Sequence, residues 1–346
     1  MPLSHRTSPR AVTSALAVAV LLLAGCTGAS DEERDGDAAP TGGADGPASS
    51  TVTLVTPDSV RLNAGLLERF ERESGLTVEV NVVGDAGTFA EQILASKEGP
   101  LGDVVLGVDN TFMSRVVDEG VTEVNYLWQV GHADVCVNAD KVWFDERDLP
   151  LPGSLEDLAQ PRYKGQLVVP DPATSALGLA FLLAAVDEYG DTGAGDYWKA
   201  LRKNGVKFAG SPEAAYDVDF TASNSTGGRP LVVSYSTSPA GTAGKDGELT
   251  TAALPETCFR HEEYAGLLTG AKNRAGAKDL LAFLVSDEAQ QEMSTSMSVY
   301  PADDDTRVPD EWAEVPRMEN PHELDPEQIV ENRDAWIGAW TSTMLE

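Results

Sequence analysis

Basic residues are scarce in this chain: 25 Lys and Arg stand against 56 Asp and Glu in 346 residues, a formal net charge of −31. Nucleic acids and anionic lipid surfaces are recognised through positive charge, so this imbalance argues against both as partners. It favours a cationic ligand, and it also fits a solubility adaptation spread over the surface. The four histidines, His5, His132, His261 and His322, are scattered, and no His/Cys spacing suggests zinc. There is no Gly-x-Ser-x-Gly elbow and no phosphate-cradling glycine loop. The expectation is a protein that is not an enzyme and needs no cofactor. No apolar run reaches the roughly 20 residues that span a bilayer, and no internal repeat is visible.

The N-terminus does carry an address. His5, Arg6 and Arg10 precede an apolar stretch at 11–24 that closes in Leu23-Ala24-Gly25-Cys26. Basic residues, an apolar run and small residues at a cut are the three parts of an export signal. A cysteine at the cut resembles a bacterial lipobox, which implies a signal peptide at 1–25 and lipidation of Cys26. Acyl chains on that residue would anchor the chain on the extracytoplasmic face of the cell membrane. Residues 27–50 contain no large apolar side chain. Such a segment cannot bury enough surface to order itself, so 26–50 reads as a lipidated cysteine with a flexible tether.

With Cys26 set aside, Cys136 and Cys258 are the cysteines left, and a single pair in an exported chain invites a disulfide. The remaining chain, from residue 51 on, is long enough for two lobes.

Residues 51–56 (TVTLVT) read as a buried strand, 62–74 as a helix with Leu62, Leu66, Leu67 and Phe70 on one face, and 76–83 as a second strand. Asp85 opens a helix running to about residue 97, and 103–107 is a third strand. This β-α-β-α-β order implies a parallel sheet with helices on its faces. Further strands are expected at 133–138, 166–169, 206–209, 230–235 and 262–268. Helices are expected at 154–158, 176–189, 197–204, from 212, at 275–284, 287–297 and 329–344. The fold class is α/β with two lobes: lobe 1 from 51–133 plus 249–346, lobe 2 from 134–248.

Hydroxyl and acidic residues recur at the strand ends: Asp58-Ser59, Asp85, Asp109-Asn110, Thr174-Ser175, and Ser236 with Ser238. Ligands of open α/β sheets sit at the carboxyl ends of the strands, where helix N-termini donate free N–H groups. Each residue alone is an ordinary turn former or cap. Their recurrence is what points to a small-molecule cleft between the lobes.

Several segments resemble one family. They are VTPDS at 55–59, GDAGTF at 84–89, LGDVVLGVDNTF at 101–112, DVCVNADKVWF at 134–144, PRYKGQLVVPDPATSALGLAFLLA at 161–184, PLVVSYSTSPA at 230–240 and ETCFRHEEYAGLLTGAKN at 256–273, with VYP at 299–301 and NRDAWIGAW at 332–340. Together they are similar to the thiamine-binding subunits of bacterial ABC importers, over essentially all of 51–340. The resemblance implies the periplasmic-binding-protein type II fold and a small-molecule ligand, thiamine or a related cation, delivered to an ABC permease. It also implies that the acid Asp85, Ser175 and Tyr235 face the ligand. Asp58, Ser59, Asp109, Thr174 and Tyr216 complete the candidate set. The receptor is expected to act as a monomer, with membrane contact through its lipid only.

The chain departs from the family where stacking aromatics are expected. Pro57, Gly210-Ser211-Pro212, Gly241 and Ser298 stand there instead, with Gly131-His132-Ala133 in place of an Asp-Tyr-Gly-like stretch. Thiamine is a flat cation that a site would stack and neutralise. Either Tyr216, Tyr126, Trp128 or Tyr300 substitutes, or the ligand is ferric iron, a polyamine or another amine, or the copy no longer binds. Iron binders of the fold offer a Tyr-Tyr pair, which is missing here. Trp143, Trp198, Trp336 and Trp340 read as core.

Overall fold

The computed structural model describes residues 49–244, 247–303, 305–312 and 315–345. The expected signal at 1–25, the Cys26 anchor and the tether up to residue 48 lie outside the described residues.

The chain begins with β1 (Thr51–Thr56), α1 (Ala64–Ser74), β2 (Thr77–Val82), α2 (Ala86–Ala95) and β3 (Val104–Asp109). β1 pairs in parallel with both β2 and β3, the arrangement the alternating pattern requires. α1 starts where Asn63 Oδ1 accepts the Gly65 N–H at 2.9 Å. Its Leu66 and Phe70, one turn apart, are buried, and full burial of such side chains stabilises by roughly 2–3 kcal/mol each. Alternate strand residues enter different cores. Val52, Leu54, Val104 and Leu106 join Leu66 and Phe70 on one face, while Val55, Val105 and Val108 join Phe89 and Ile93 of α2 on the other. A parallel sheet covered on both faces explains the near-continuous apolar strands.

Next come α3 (Met113–Asp118), β4 (Thr122–Asp140), α4 (Lys141–Asp145), α5 (Leu155–Leu158), β5 (Leu167–Pro170), α6 (Ala176–Lys203), β6 (Lys207–Ala209), β7 (Leu231–Tyr235) and β8 (Thr251–Ala253). The chain ends through β9 (Phe259–Leu268), α7 (Arg274–Leu284), α8 (Asp287–Met297), β10 (Tyr300–Pro301) and α9 (Pro326–Leu345). α6 is two helices joined at Gly190, whose φ of 67° and ψ of 172° break the helix. A residue with a β-carbon would be strained there. The break lies between the two helices expected at 176–189 and 197–204.

The strand order is β2-β1-β3-β9-β4-β7-β5-β6, with β8 and β10 also on β4. β4 and β9 run antiparallel to each other over Thr122–Val135 against Leu268–Phe259. Each has a different second neighbour: β3 takes Glu263–Leu267 on the other edge of β9, while β7 takes Val135–Ala139 of β4. The fold is therefore the two-lobed type II arrangement, with β4 and β9 as the strands that pass between lobes. Cys136 and Cys258 are joined as a disulfide, Cα atoms 4.0 Å apart, just past the Val135–Phe259 pair.

The second lobe's core surrounds the first half of α6. Leu177, Phe181, Leu183 and Trp198 pack with Val135, Val137, Leu231 and Val233. Ile329, Trp336 and Trp340 of α9 belong to this same core. The expected division placed all of 249–346 with the first lobe; the terminal helix packs elsewhere because its apolar stripe finds its partner in α6. Trp336 Nε1 also donates to Asp191 Oδ1 at 2.9 Å. β4 starts at residue 122, well before the expected 133, and α3, α4, β8 and β10 were not anticipated. In the segment from residue 212 a single π-helical turn, Ala214–Asp219, forms.

Candidate functional site

Five strands deliver their carboxyl ends to one place. Asp58 and Ser59 follow β1, Asp85 follows β2, Asp109 ends β3, Thr174 and Ser175 follow β5, and Tyr235 ends β7. All of these line a single cavity of about 370 Å³. Tyr216, the remaining candidate, lines an adjoining cavity of about 430 Å³ that shares Leu177, Pro212, Glu213 and Tyr235 with the first. The eight residues expected at the site thus fall into one continuous region.

Several of them also serve the local fold. Asp85 caps α2, its Oδ1 accepting the Thr88 N–H at 2.8 Å. Ser175 caps α6, its Oγ accepting the Gly178 N–H at 3.3 Å. Asp109 Oδ1 accepts from both the backbone N–H (2.8 Å) and the hydroxyl (2.5 Å) of Thr111. Tyr216 donates its hydroxyl to Ser238 O at 3.3 Å, and Ser238 and Ser234 share a 2.8 Å hydrogen bond beside it. The turns and caps therefore hold the polar groups still, and the helix N-termini of α2 and α6 both abut the cavity.

The electrostatics are one-sided. The 370 Å³ cavity is lined by five carboxylates, Asp58, Asp85, Asp109, Glu213 and Glu263, and among the described residues Arg61 is the single cationic side chain in that lining. Arg61 lies 3.5 Å from Glu213, across the mouth. Burial raises the Asp58 carboxyl above its ordinary value, and the charges of Glu213 and Asp85 raise it further against the pull of Arg61. Burial raises the Tyr235 phenol, with Glu263, Asp109 and Glu213 adding to the effect, so it stays a neutral hydroxyl. Below the cavity His261 is fully buried, with Nε2 2.9 Å from Glu263 Oε1 and its ring 5.8 Å from that of Tyr235. Burial alone would lower its pKa; the bond to Glu263 and the charges of Glu263, Asp109 and Asp134 outweigh that and raise it. An environment of this kind stabilises positive charge.

Glu213 and Glu263 were not singled out from the sequence. Glu263 could have been found only through register, because β9 brings it opposite Asp109. Glu213 follows Gly210-Ser211-Pro212, a segment noted only for its missing aromatic. Pro57, Ser211, Gly241 and Ser298, which stand where the resemblance led aromatics to be expected, all line the two cavities. Of the proposed replacements Tyr216 is in the lining. Tyr126 and Trp128 instead pack on the first lobe's core beside Lys278, whose Nζ sits 4.5 Å from the Tyr126 ring centroid. Tyr300 lies behind Trp312, centroids 5.1 Å apart, and it is Trp312 that lines the larger cavity. Among the described residues no three His, Cys, Asp or Glu side chains are grouped to hold a metal ion, and no helix is long and apolar enough to cross a membrane.

Residues 61–294 match the family described as bacterial extracellular solute-binding proteins. The chain belongs to that family. Relatives include the thiamine-binding periplasmic protein of Brucella suis biovar 1 (strain 1330), 28% identical over 313 residues that cover 85% of this chain and 92% of the relative. The thiamine-binding periplasmic protein of Salmonella typhimurium (strain LT2) is 25% identical over 316 residues, 85% of this chain and 93% of its own. Among solved structures, a periplasmic thiamin binding protein superposes with a TM-score of 0.74 at 21% identity, covering 85% of this chain and 96% of that one. An extracytoplasmic solute-binding role follows from family membership.

Proposed function

We propose that this protein captures thiamine or a related small organic cation outside the cytoplasm and delivers it to an ABC import permease. The observation that carries the reading is the cavity itself: five carboxylates against one arginine, with the Tyr235 and Tyr216 rings beside them. A cation gains from that field, and its ring gains from π faces. Asp85 and Asp58 supply counter-charge, Ser175 and Thr174 offer hydroxyls, and Tyr235 and Tyr216 offer ring faces. Relatives named for thiamine binding support the choice of ligand. The lobes close on the ligand about β4 and β9 and reopen at the permease, with no chemical step. Cys26 holds the receptor on the outer face of the cell membrane through its lipid and the acidic tether, and the receptor works as a monomer.

Calorimetric titration of the purified protein with thiamine tests the assignment. Binding at micromolar or tighter affinity is expected. An absence of heat together with an unchanged melting temperature at millimolar thiamine would discard thiamine as the ligand.

Another amine is the second reading, favoured by the small residues at Pro57, Ser211, Gly241 and Ser298 that widen the cavity where rings could stack. Ferric iron is disfavoured, because the described residues offer no cluster of metal ligands.

A further inference from the structure

One cation stands among the five acids of the cavity wall, and its placement is specific. Arg61 lies in the loop between β1 and α1, flanked by Val60 and Leu62, which both pack on the first lobe's core. Anchored by those neighbours, its own side chain lines the cavity and meets Glu213 at 3.5 Å. Glu213 precedes the π-helical turn Ala214–Asp219, whose Ala214 and Ala215 pack in the second lobe with Val168 and Val232. The ion pair therefore joins the two lobes across the mouth.

Both groups remain accessible: their side chains are 71% and 46% exposed. A pair that open to water adds little to stability, because solvent screens it and two long side chains lose freedom to form it. Stability is thus not what Arg61 supplies. Glu213 lines both cavities, so its carboxylate is within reach of anything that enters either one. Its charge raises the Asp58 carboxyl and the Tyr235 phenol, while Arg61 pulls the Asp58 carboxyl the opposite way. The two side chains are opposed inputs to one field, and an arriving cation meets Glu213 already taken.

We propose that Arg61 is a specificity-determining residue, a built-in rival cation: its guanidinium holds Glu213 until a positive group of the ligand takes that carboxylate over. Arg61 then turns out into solvent, which its exposure permits. Binding is an exchange of one cation for another. A bare inorganic ion brings charge and nothing else to that exchange. An organic cation also gains from the Tyr235 and Tyr216 rings and the Ser175 hydroxyl, and so can displace the guanidinium. The selected class is organic cations whose positive group reaches Glu213. The influence of Arg61 grows with the charge the ligand carries. The inference rests on reading the cavity as a site for a small cation.

The test is calorimetry on the purified full chain with thiamine and 1,4-diaminobutane as probes. Arg61→Gln is expected to bind a cationic probe about three- to tenfold more tightly than wild type, the worth of one unit charge a few ångströms away near a protein surface. The gain should be larger for the doubly charged diamine and should shrink at high salt. Arg61→Lys, which keeps the charge, should stay closer to wild type than Arg61→Gln does. Glu213→Gln should bind more weakly, and adding Arg61→Gln to it should change affinity less than twofold, since no carboxylate is left to compete for. A merely structural arginine would show neither the dependence on ligand charge nor the coupling to Glu213. All four variants should melt near wild type, because the pair is exposed.

Unchanged or weaker binding by Arg61→Gln overturns the assignment. A gain of full size in the Glu213→Gln background overturns it too, because Arg61 would then act through its general field and not by holding Glu213. Should thiamine fail and the diamine bind with the expected dependence on Arg61, the thiamine reading falls and the role of Arg61 stands. Should neither probe bind wild type or any variant, both fall.

Discussion

A β-carbon at Gly87 would lie 2.3 Å from the carbonyl oxygen of Ala173. Gly87 is in the first turn of α2 in the first lobe, and Ala173 is in the loop leading to α6 in the second. The two lobes meet there backbone to backbone, beside the cavity that both of them wall. Only a residue without a side chain permits the approach.

Gly87→Ala should therefore hold the lobes apart. Forcing an extra methyl into such a contact costs about 1–3 kcal/mol, which corresponds to roughly a 5- to 150-fold loss of ligand affinity if the closed form alone binds tightly. Small-angle scattering with ligand present would report a larger radius of gyration for the variant. Equal radii and equal affinities would mean that closure does not depend on this contact.

Asp85 combines two duties that separate by substitution. Its Oδ1 caps α2, and its charge faces the cavity. Asp85→Ala should cost about 1 kcal/mol of stability through the lost cap as well as ligand affinity. Asp85→Asn keeps a capping oxygen and removes the charge, so its melting temperature should stay near wild type while affinity for a cation drops about tenfold. Paired melting and calorimetry curves would expose any failure of that separation.

Asp134 governs part of the pH response. Burial pushes its carboxyl up to about 6, against the attraction of the Arg260 guanidinium 2.9 Å away. A carboxyl raised in the folded state binds its proton more tightly there than in the unfolded chain. Its stabilising contribution is therefore present below about pH 4 and lost as pH rises through about 6. The span is worth about 3 kcal/mol. Asp134→Asn should remove that slope, so the variant gains on wild type between pH 4 and 6. Denaturant midpoints across that window check it; parallel curves would show that Asp134 does not titrate there.

The Cys136–Cys258 disulfide bridges positions 122 residues apart in sequence. In the chain-entropy account, closing a loop of that length in the unfolded state stabilises by about 5 kcal/mol, less any native strain. Replacing both cysteines by alanine should lower the urea midpoint markedly and leave ligand affinity within a few-fold, since neither cysteine lines either cavity. A midpoint unchanged by the double replacement would contradict the bridge.

Much of the fold was legible because local signals agreed with each other. The alternation of 51–56, the Leu66/Phe70 spacing and the capping acid at 85 all point to one βαβαβ unit, and that unit forms. The first half of β4 was not legible. Residues 122–132 (TEVNYLWQVGH) lack clean alternation, since the pairing with β9 shifts register between Thr122 and Leu127 and again between Gln129 and Gly131. The seat of α9 was also hidden, because a stripe of Ile329, Trp336 and Trp340 shows that a helix packs and not against what.

At the site the same division holds. Strand-end residues such as Asp58, Asp109 and Ser175 could be nominated one by one from turn chemistry. Glu263 could not, since its importance comes from the residue across the strand. The missing aromatics told of lost stacking partners, but the Trp312 ring that lines the larger cavity comes from a stretch with no such signal.

The hydrogen-bonded path from β2 to β6 runs unbroken through both lobes, with β4 and β9 at its centre. Neither lobe can melt without stripping one of those strands of half its partners. Despite having separate cores, the protein is built to denature as one cooperative body, showing a single calorimetric peak where two loosely joined domains would show two.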